Sequence, residues 1–132
     1  MFYYLSFRED SKYVKIILMG IRIIDKPTKL AEIREIASHQ FGDMVKFVVD
    51  VEKEIMAIGG DLHADEEAVL IENDSNQNNL WGINYYLDKG AKSTIEFDSM
   101  INLRPSQNNR SRDVENSETR KQIVVVVNKL IV

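Results

Sequence analysis

Cysteine is absent from the 132-residue chain, so structural disulfides, thiolate metal sites and cysteine nucleophiles are excluded, and a reducing compartment is permitted. Histidine is nearly as scarce. His39 and His63 are the only two, and the helical zinc pattern, which needs two histidines one turn apart, does not occur. Long apolar runs are missing as well: the longest, Ile123 to Val127, is far below the roughly 20 residues that cross a bilayer. At the N-terminus Met1-Phe2-Tyr3-Tyr4-Leu5 is followed at once by Arg8, Glu9 and Asp10, unlike a secretory leader. The expectation is a soluble cytoplasmic protein with no membrane partner. An excess of positive charge is also lacking. The formal net charge is −4, which speaks against a dedicated nucleic-acid binder. The charge is nevertheless polarised, because arginines and lysines outnumber acids from Arg104 onward, and a local basic surface can coexist with an acidic whole.

What remains is enough for a single core. Residues 1 to 18 read as a peripheral extension: Tyr3, Leu5 and Phe7 alternate, Arg8 to Lys12 is a polar turn, and Val14 to Leu18 is β-branched, which together suggest a marginal hairpin. Met19 precedes a stretch that needs no earlier partner, so it reads as a candidate natural start, with residues 19–132 forming one domain. Asp25 to Phe41 is the clearest helix. Thr28 follows Pro27 as a suitable N-cap, Leu30, Ile33, Ile36 and Ala37 share a face, and Gly42 ends it. Met44 to Ile58 fits a helical stripe, yet Val45, Phe47, Val49 and Val51 also alternate, and β-branched residues with a Glu52-Lys53-Glu54 turn favour a hairpin. A short helix is expected from about Asp65 to Glu72, capped by Asp65, after a strand end at Leu62. Leu80 to Leu87 reads as an aromatic strand paired with Thr94 to Leu103, where Ile95, Phe97, Ser99 and Ile101 alternate until Pro105 stops the strand. Ser117 to Ile131 reads as an amphipathic helix capped by Asn116 or Ser117. The fold class is therefore α+β: a small antiparallel sheet from two hairpin-like regions, with N-terminal, middle and C-terminal helices, the outer two on one face.

Three functions fit this pattern. The loop after Pro105 has no apolar residue from Ser106 to Asp113, and Arg104, Asn109 and Arg110 could converge on a small anionic or phosphorylated ligand, with Trp81 and Asn84 lining the pocket. The bland alternative pairs Arg104 and Arg110 with Glu96, Asp98 or Glu115 to pin the loop. A second function is a metal-dependent hydrolase in which Asp65 and Glu66 hold a hard cation beside His63 as base; against it, acids on a first helical turn need no metal. The third is a protein-interaction subunit whose polar loops only staple the fold. No cofactor is indicated, and the sequence alone does not decide whether the protein is an enzyme.

The segments G-D-M-V-K, V-V-D-V-E-K-E-I-M, L-H-A-D-E-E-A, N-L-W-G-I-N-Y-Y, F-D-S-M-I-N-L-R-P-S-Q and N-R-S-R resemble a family of short uncharacterised prokaryotic proteins described as a domain of unknown function. The resemblance runs from roughly Ile21 to the C-terminus. It would place glycine at Asn108 and proline at Leu87. It implies kinship and no activity.

Overall fold

Alternation of apolar residues builds the sheet. The structure, a computed structural model, describes residues 20–88 and 94–132. In chain order its elements are β1 (Arg22–Ile24), α1 (Leu30–Ser38), β2 (Met44–Asp50), β3 (Ile55–Ile58), α2 (His63–Glu72), β4 (Leu80–Tyr86), β5 (Ile95–Glu96) and α3 (Ser117–Leu130). The strands lie in the order β1-β3-β2-β4-β5 with every neighbour antiparallel. The α+β class is as expected, and Met44 to Ile58 is a hairpin. The predicted extension and Met19 lie outside the described residues.

Successive side chains of a strand face opposite ways, and both faces of this sheet are covered. On the first face Val45, Phe47 and Val49 of β2 and Trp81 and Ile83 of β4 meet Ile33 and Ala37 of α1 and Ile123, Val126, Val127 and Leu130 of α3. Phe47 and Tyr85 stack with ring centroids 5.0 Å apart. On the second face Val48, Ala57 and Leu80 pack with Ile21 and with Val69 and Leu70 of α2. Each such fully buried aliphatic side chain contributes roughly 1.5–3 kcal/mol, so neither layer is dispensable.

Buried polar groups fix the connections. Asp50 is fully buried. Its Oδ1 accepts from the N–H groups of Glu52 and Lys53, both at 2.9 Å, and its Oδ2 accepts from Ser75 Oγ at 2.7 Å, tying the β2–β3 turn to the segment after α2. Gly59 follows β3 with φ +92°, and a Cβ there would stand 2.5 Å from Gly20 O, so no larger residue fits this crossing. Asn116 caps α3 as expected, accepting from Glu118 N at 2.8 Å and Thr119 N at 3.0 Å.

Five expectations are corrected. The predicted strand from Thr94 to Leu103 keeps its pairing only at Ile95 and Glu96. The chain then crosses the sheet edge: Phe97 packs with the first face, Ile101 with the second, and Met100–Asn102 is a 3-10 turn whose preceding Ser99 side chain accepts from Ile101 N. The first helix starts at Leu30, later than predicted, with Lys29 at its N-cap position. Thr28 is not the cap, because its backbone is taken by the C-terminal segment: Thr28 N donates to Leu130 O at 2.8 Å, and Val132 N donates to Thr28 O at 3.0 Å. The middle helix starts at His63, so Leu62 is the N-cap residue rather than a strand end, and Asp65 sits in the first turn rather than capping it.

Candidate functional site

The Arg104 loop is held by its own side chains. Arg104 N donates to Asn109 O at 2.8 Å and Arg104 O accepts from Asn109 N at 3.1 Å. Between them Pro105–Gln107 form a 3-10 turn and Asn108 adopts φ 60°, a left-handed conformation that Asn tolerates in place of the glycine suggested by the resemblance. The buried Asn109 amide donates to Asn102 O, Ser111 O and Asp113 O, and its Oδ1 accepts from Glu115 N. The Arg104 guanidinium lies 4.2 Å above the Trp81 ring and donates to the carbonyls of Gln77 and Leu80 and to Gln107 Oε1. It thereby joins the loop to the start of β4.

The five residues predicted to share an anion pocket are not gathered at one point. Trp81 belongs to the first face. Asn84 alternates to the second, where its Nδ2 donates to Glu96 Oε1 at 2.8 Å and its Oδ1 is buried without a partner among the described residues. Arg110 is exposed, and its backbone N–H donates to Glu115 Oε2. The predicted ion pairing of the loop is made instead by Arg112, whose Nε reaches Asp98 Oδ1 at 2.6 Å.

Gly82 is the centre around which the second face closes. Beyond β5, the fully buried Asn102 takes the place of a pairing strand: its Oδ1 accepts from Gly82 N at 2.8 Å, and its Nδ2 donates to Gly82 O and to Arg112 O, each at 3.0 Å. A Cβ on Gly82 would meet Ser99 Oγ at 2.6 Å and His63 Cγ at 3.1 Å. Glycine is therefore what lets Ser99 and the start of α2 approach the strand together.

His63, Asp65 and Glu66, the predicted metal set, diverge. Among the described residues no group of three or more His, Asp or Glu side chains is placed to hold a metal ion. His63 is buried, and its Nε2 meets Ile83 O at 2.7 Å, so Nε2 carries the proton and Nδ1 is left as an acceptor. Burial lowers its pKa from 6.5 to about 4; the Ile83 carbonyl opposes that shift and nearby Lys46 adds to it. Glu66 is fully buried against Gly60, whose N–H donates to Oε2 at 2.9 Å, while Oε1 has no partner among the described residues. Burial pushes its carboxyl well above the usual carboxylate range, opposed by the Gly60 N–H and Lys46. Asp65 is only partly buried.

Beside His63 lies a cleft of about 240 Å³. Lys46, His63, Ser99 and Arg112 supply its polar groups, and Leu62, Met100 and Ile101 supply its apolar ones. The Lys46 ammonium stands 5.5 Å from the Phe41 ring centroid and makes no ion pair among the described residues. Ala64 also lines the cleft. Leu62 offers no side-chain cap to α2, and its carbonyl takes the N–H groups of Asp65 and Glu66. The N–H groups of His63 and Ala64 have no partner among the described residues, and the positive end of the helix dipole lies behind them. Sequence reasoning missed Lys46 and Ser99 as site residues and counted Arg112 only among the donors of the Arg104–Arg112 loop. The available signal was phase: Lys46 alternates with Val48 and Asp50, and so shares the face of the sheet that α2 covers.

Mixed helices on both faces of an antiparallel sheet define an α+β domain. The chain belongs to the family described as Protein of unknown function (DUF5674), whose profile matches residues 22–130. No curated protein and no solved structure matches it. Among the described residues no helix is long and apolar enough to cross a membrane. The segments L-H-A-D-E-E-A, N-L-W-G-I-N-Y-Y, F-D-S-M-I-N-L-R-P-S-Q and N-R-S-R meet around Gly82: His63, Asn102 and Arg112 come from three of them, and each is tied by contact or hydrogen bond to Gly82 or to Asn102.

Proposed function

We propose that the protein binds a small anionic or phosphorylated ligand in the cleft between the start of α2 and the Ser99–Ile101 turn. The observation that carries this reading is the Lys46 ammonium, without a carboxylate partner among the described residues, lining the same cleft as Arg112 and the open N–H groups of α2. With His63 neutral, Lys46 and Arg112 against Asp98 leave one positive charge at the cleft. Helix N–H groups and a flexible cation suit phosphate or carboxylate. The loop from Arg104 to Arg112 contributes its last arginine as the contact, while Arg104 and Asn109 hold the loop in shape. The metal-dependent hydrolase has less support, because His63, Asp65 and Glu66 face different surroundings.

Titration of ¹⁵N-labelled protein with inorganic phosphate tests the proposal. Saturable shifts are expected at the His63 and Ala64 amides, weakening with added salt. Loss of one charge-assisted contact costs about 1.5–3 kcal/mol, so Lys46→Ala should weaken binding about tenfold or more. Unchanged affinity in Lys46→Ala would sink the reading.

A further inference from the structure

Charge is only part of what lines the cleft. Leu62, immediately before α2, is 59 % exposed, and Met100, on the turn after Ser99, is 62 % exposed. Both line the cleft, with half-buried Ile101 in its wall. A single exposed apolar residue needs no explanation. Two large ones lining the same cleft as an ammonium that has no carboxylate partner among the described residues make an amphipathic surface. The size is restrictive too: about 240 Å³ lies below the roughly 300–1,000 Å³ of sites for drug-sized ligands, and a whole nucleotide would project into solvent. The polar walls suit the anion itself: Ser99 Oγ accepts from Ile101 N and keeps its O–H as one more donor for the head.

We infer that the ligand is a small amphipathic anion, a phosphomonoester or carboxylate joined to one apolar ring or short chain. Its head meets Lys46, Arg112 and the Ala64 N–H, and its body lies between Leu62 and Met100. The inference rests on the anion-binding reading above and adds the chemical class of the ligand. Recognition is divided: the head fixes position through charge, and affinity grows with the apolar area removed from water.

The test compares phenyl phosphate with inorganic phosphate, both followed by the His63 and Ala64 amide shifts. Phenyl phosphate is expected to bind about tenfold tighter, which corresponds to roughly 55 Å² of apolar surface buried. The Leu62→Ala/Met100→Ala double variant trims two exposed side chains without adding a capping hydroxyl at the start of α2, and should fold normally. It is expected to erase that tenfold preference while leaving inorganic phosphate binding as it was. Equal affinities in the unaltered protein, or a preference that survives in the double variant, would overturn the amphipathic ligand and leave anion binding standing. Silence of both amides towards both compounds would overturn the two readings together.

Discussion

Arg104→Ala removes three donors and a stacked cation at once. The guanidinium over Trp81 is worth about 0.5–2 kcal/mol for a partly desolvated cation–π pair. Hydrogen bonds from a charged donor add about 1.5–3 kcal/mol each in a dry setting and less here, because Arg104 is only half-buried. Contributions that share one side chain do not add in full, so the expected loss is about 2–4 kcal/mol. Trp81 is the only tryptophan, and its fluorescence during urea unfolding reports from the ring that Arg104 covers, with far-UV circular dichroism as the independent probe. Arg110→Ala, at an exposed residue of the same loop, should stay within about 0.5 kcal/mol of the unaltered protein. Arg104→Lys should recover little, since an ammonium cannot reach carbonyls on two residues with a planar fork. An Arg104→Ala protein as stable as Arg110→Ala would refute the view that this guanidinium holds the loop to β4.

Gly82→Ala should destabilise by about 1–3 kcal/mol through overpacking, because its Cβ would stand 2.7 Å from Ser99 Cβ. Adding Ser99→Gly should return part of the loss, a coupling that a double-mutant cycle in urea measures directly. Asn102→Ala leaves Gly82 N and O and Arg112 O without their amide partner, and a loss of about 2–4 kcal/mol is expected from unsatisfied buried groups. His63 gives a pH dependence with a definite sign. Above pH 6.5 the imidazole is neutral in both states; between 6.5 and about 4 the unfolded chain takes up a proton that the folded protein resists. Stability from this residue therefore falls as pH falls, by at most about 3 kcal/mol. Burial of Glu66 acts oppositely, its folded pKa being raised, so its contribution falls as pH rises above 4.5. Urea midpoints of His63→Gln across pH 4–8 should show the His63 slope gone and the Glu66 trend exposed. A slope unchanged from the parent protein would show that His63 is not the group responsible.

The elements carried by short-range pattern were legible. Val45, Phe47 and Val49 alternate because one face of β2 is core, and Asn116 caps α3 with its own side chain, so both signals lie within a few residues of the feature they determine. The course of the chain after Glu96 was not legible. Ile95, Phe97, Ser99 and Ile101 alternate as well as any strand, yet Asn102, twenty residues from Gly82, supplies the amide that pairs with it, and no period announces a side chain standing in for backbone. The candidate site shows the same limit. The loop was located from Pro105 and its polar composition, but which arginine reaches the cleft depends on where Asp98, Trp81 and the start of β4 lie in space. Lys46 was hidden for a related reason: the second face of the sheet looked as free to meet water as to meet a helix.

The pairing of Asn102 with Gly82 also bears on how the protein behaves when crowded. An unpaired strand edge is a template on which another chain can add by hydrogen bonding, the first step of edge-to-edge aggregation. On this side of the sheet β5 pairs at only two positions, and at Gly82 both the donor and the acceptor of β4 are already engaged by a side-chain amide. A side chain offers no further row of N–H and C=O groups for the next strand, so the ladder stops where the amide sits and a neighbouring copy has no register to extend.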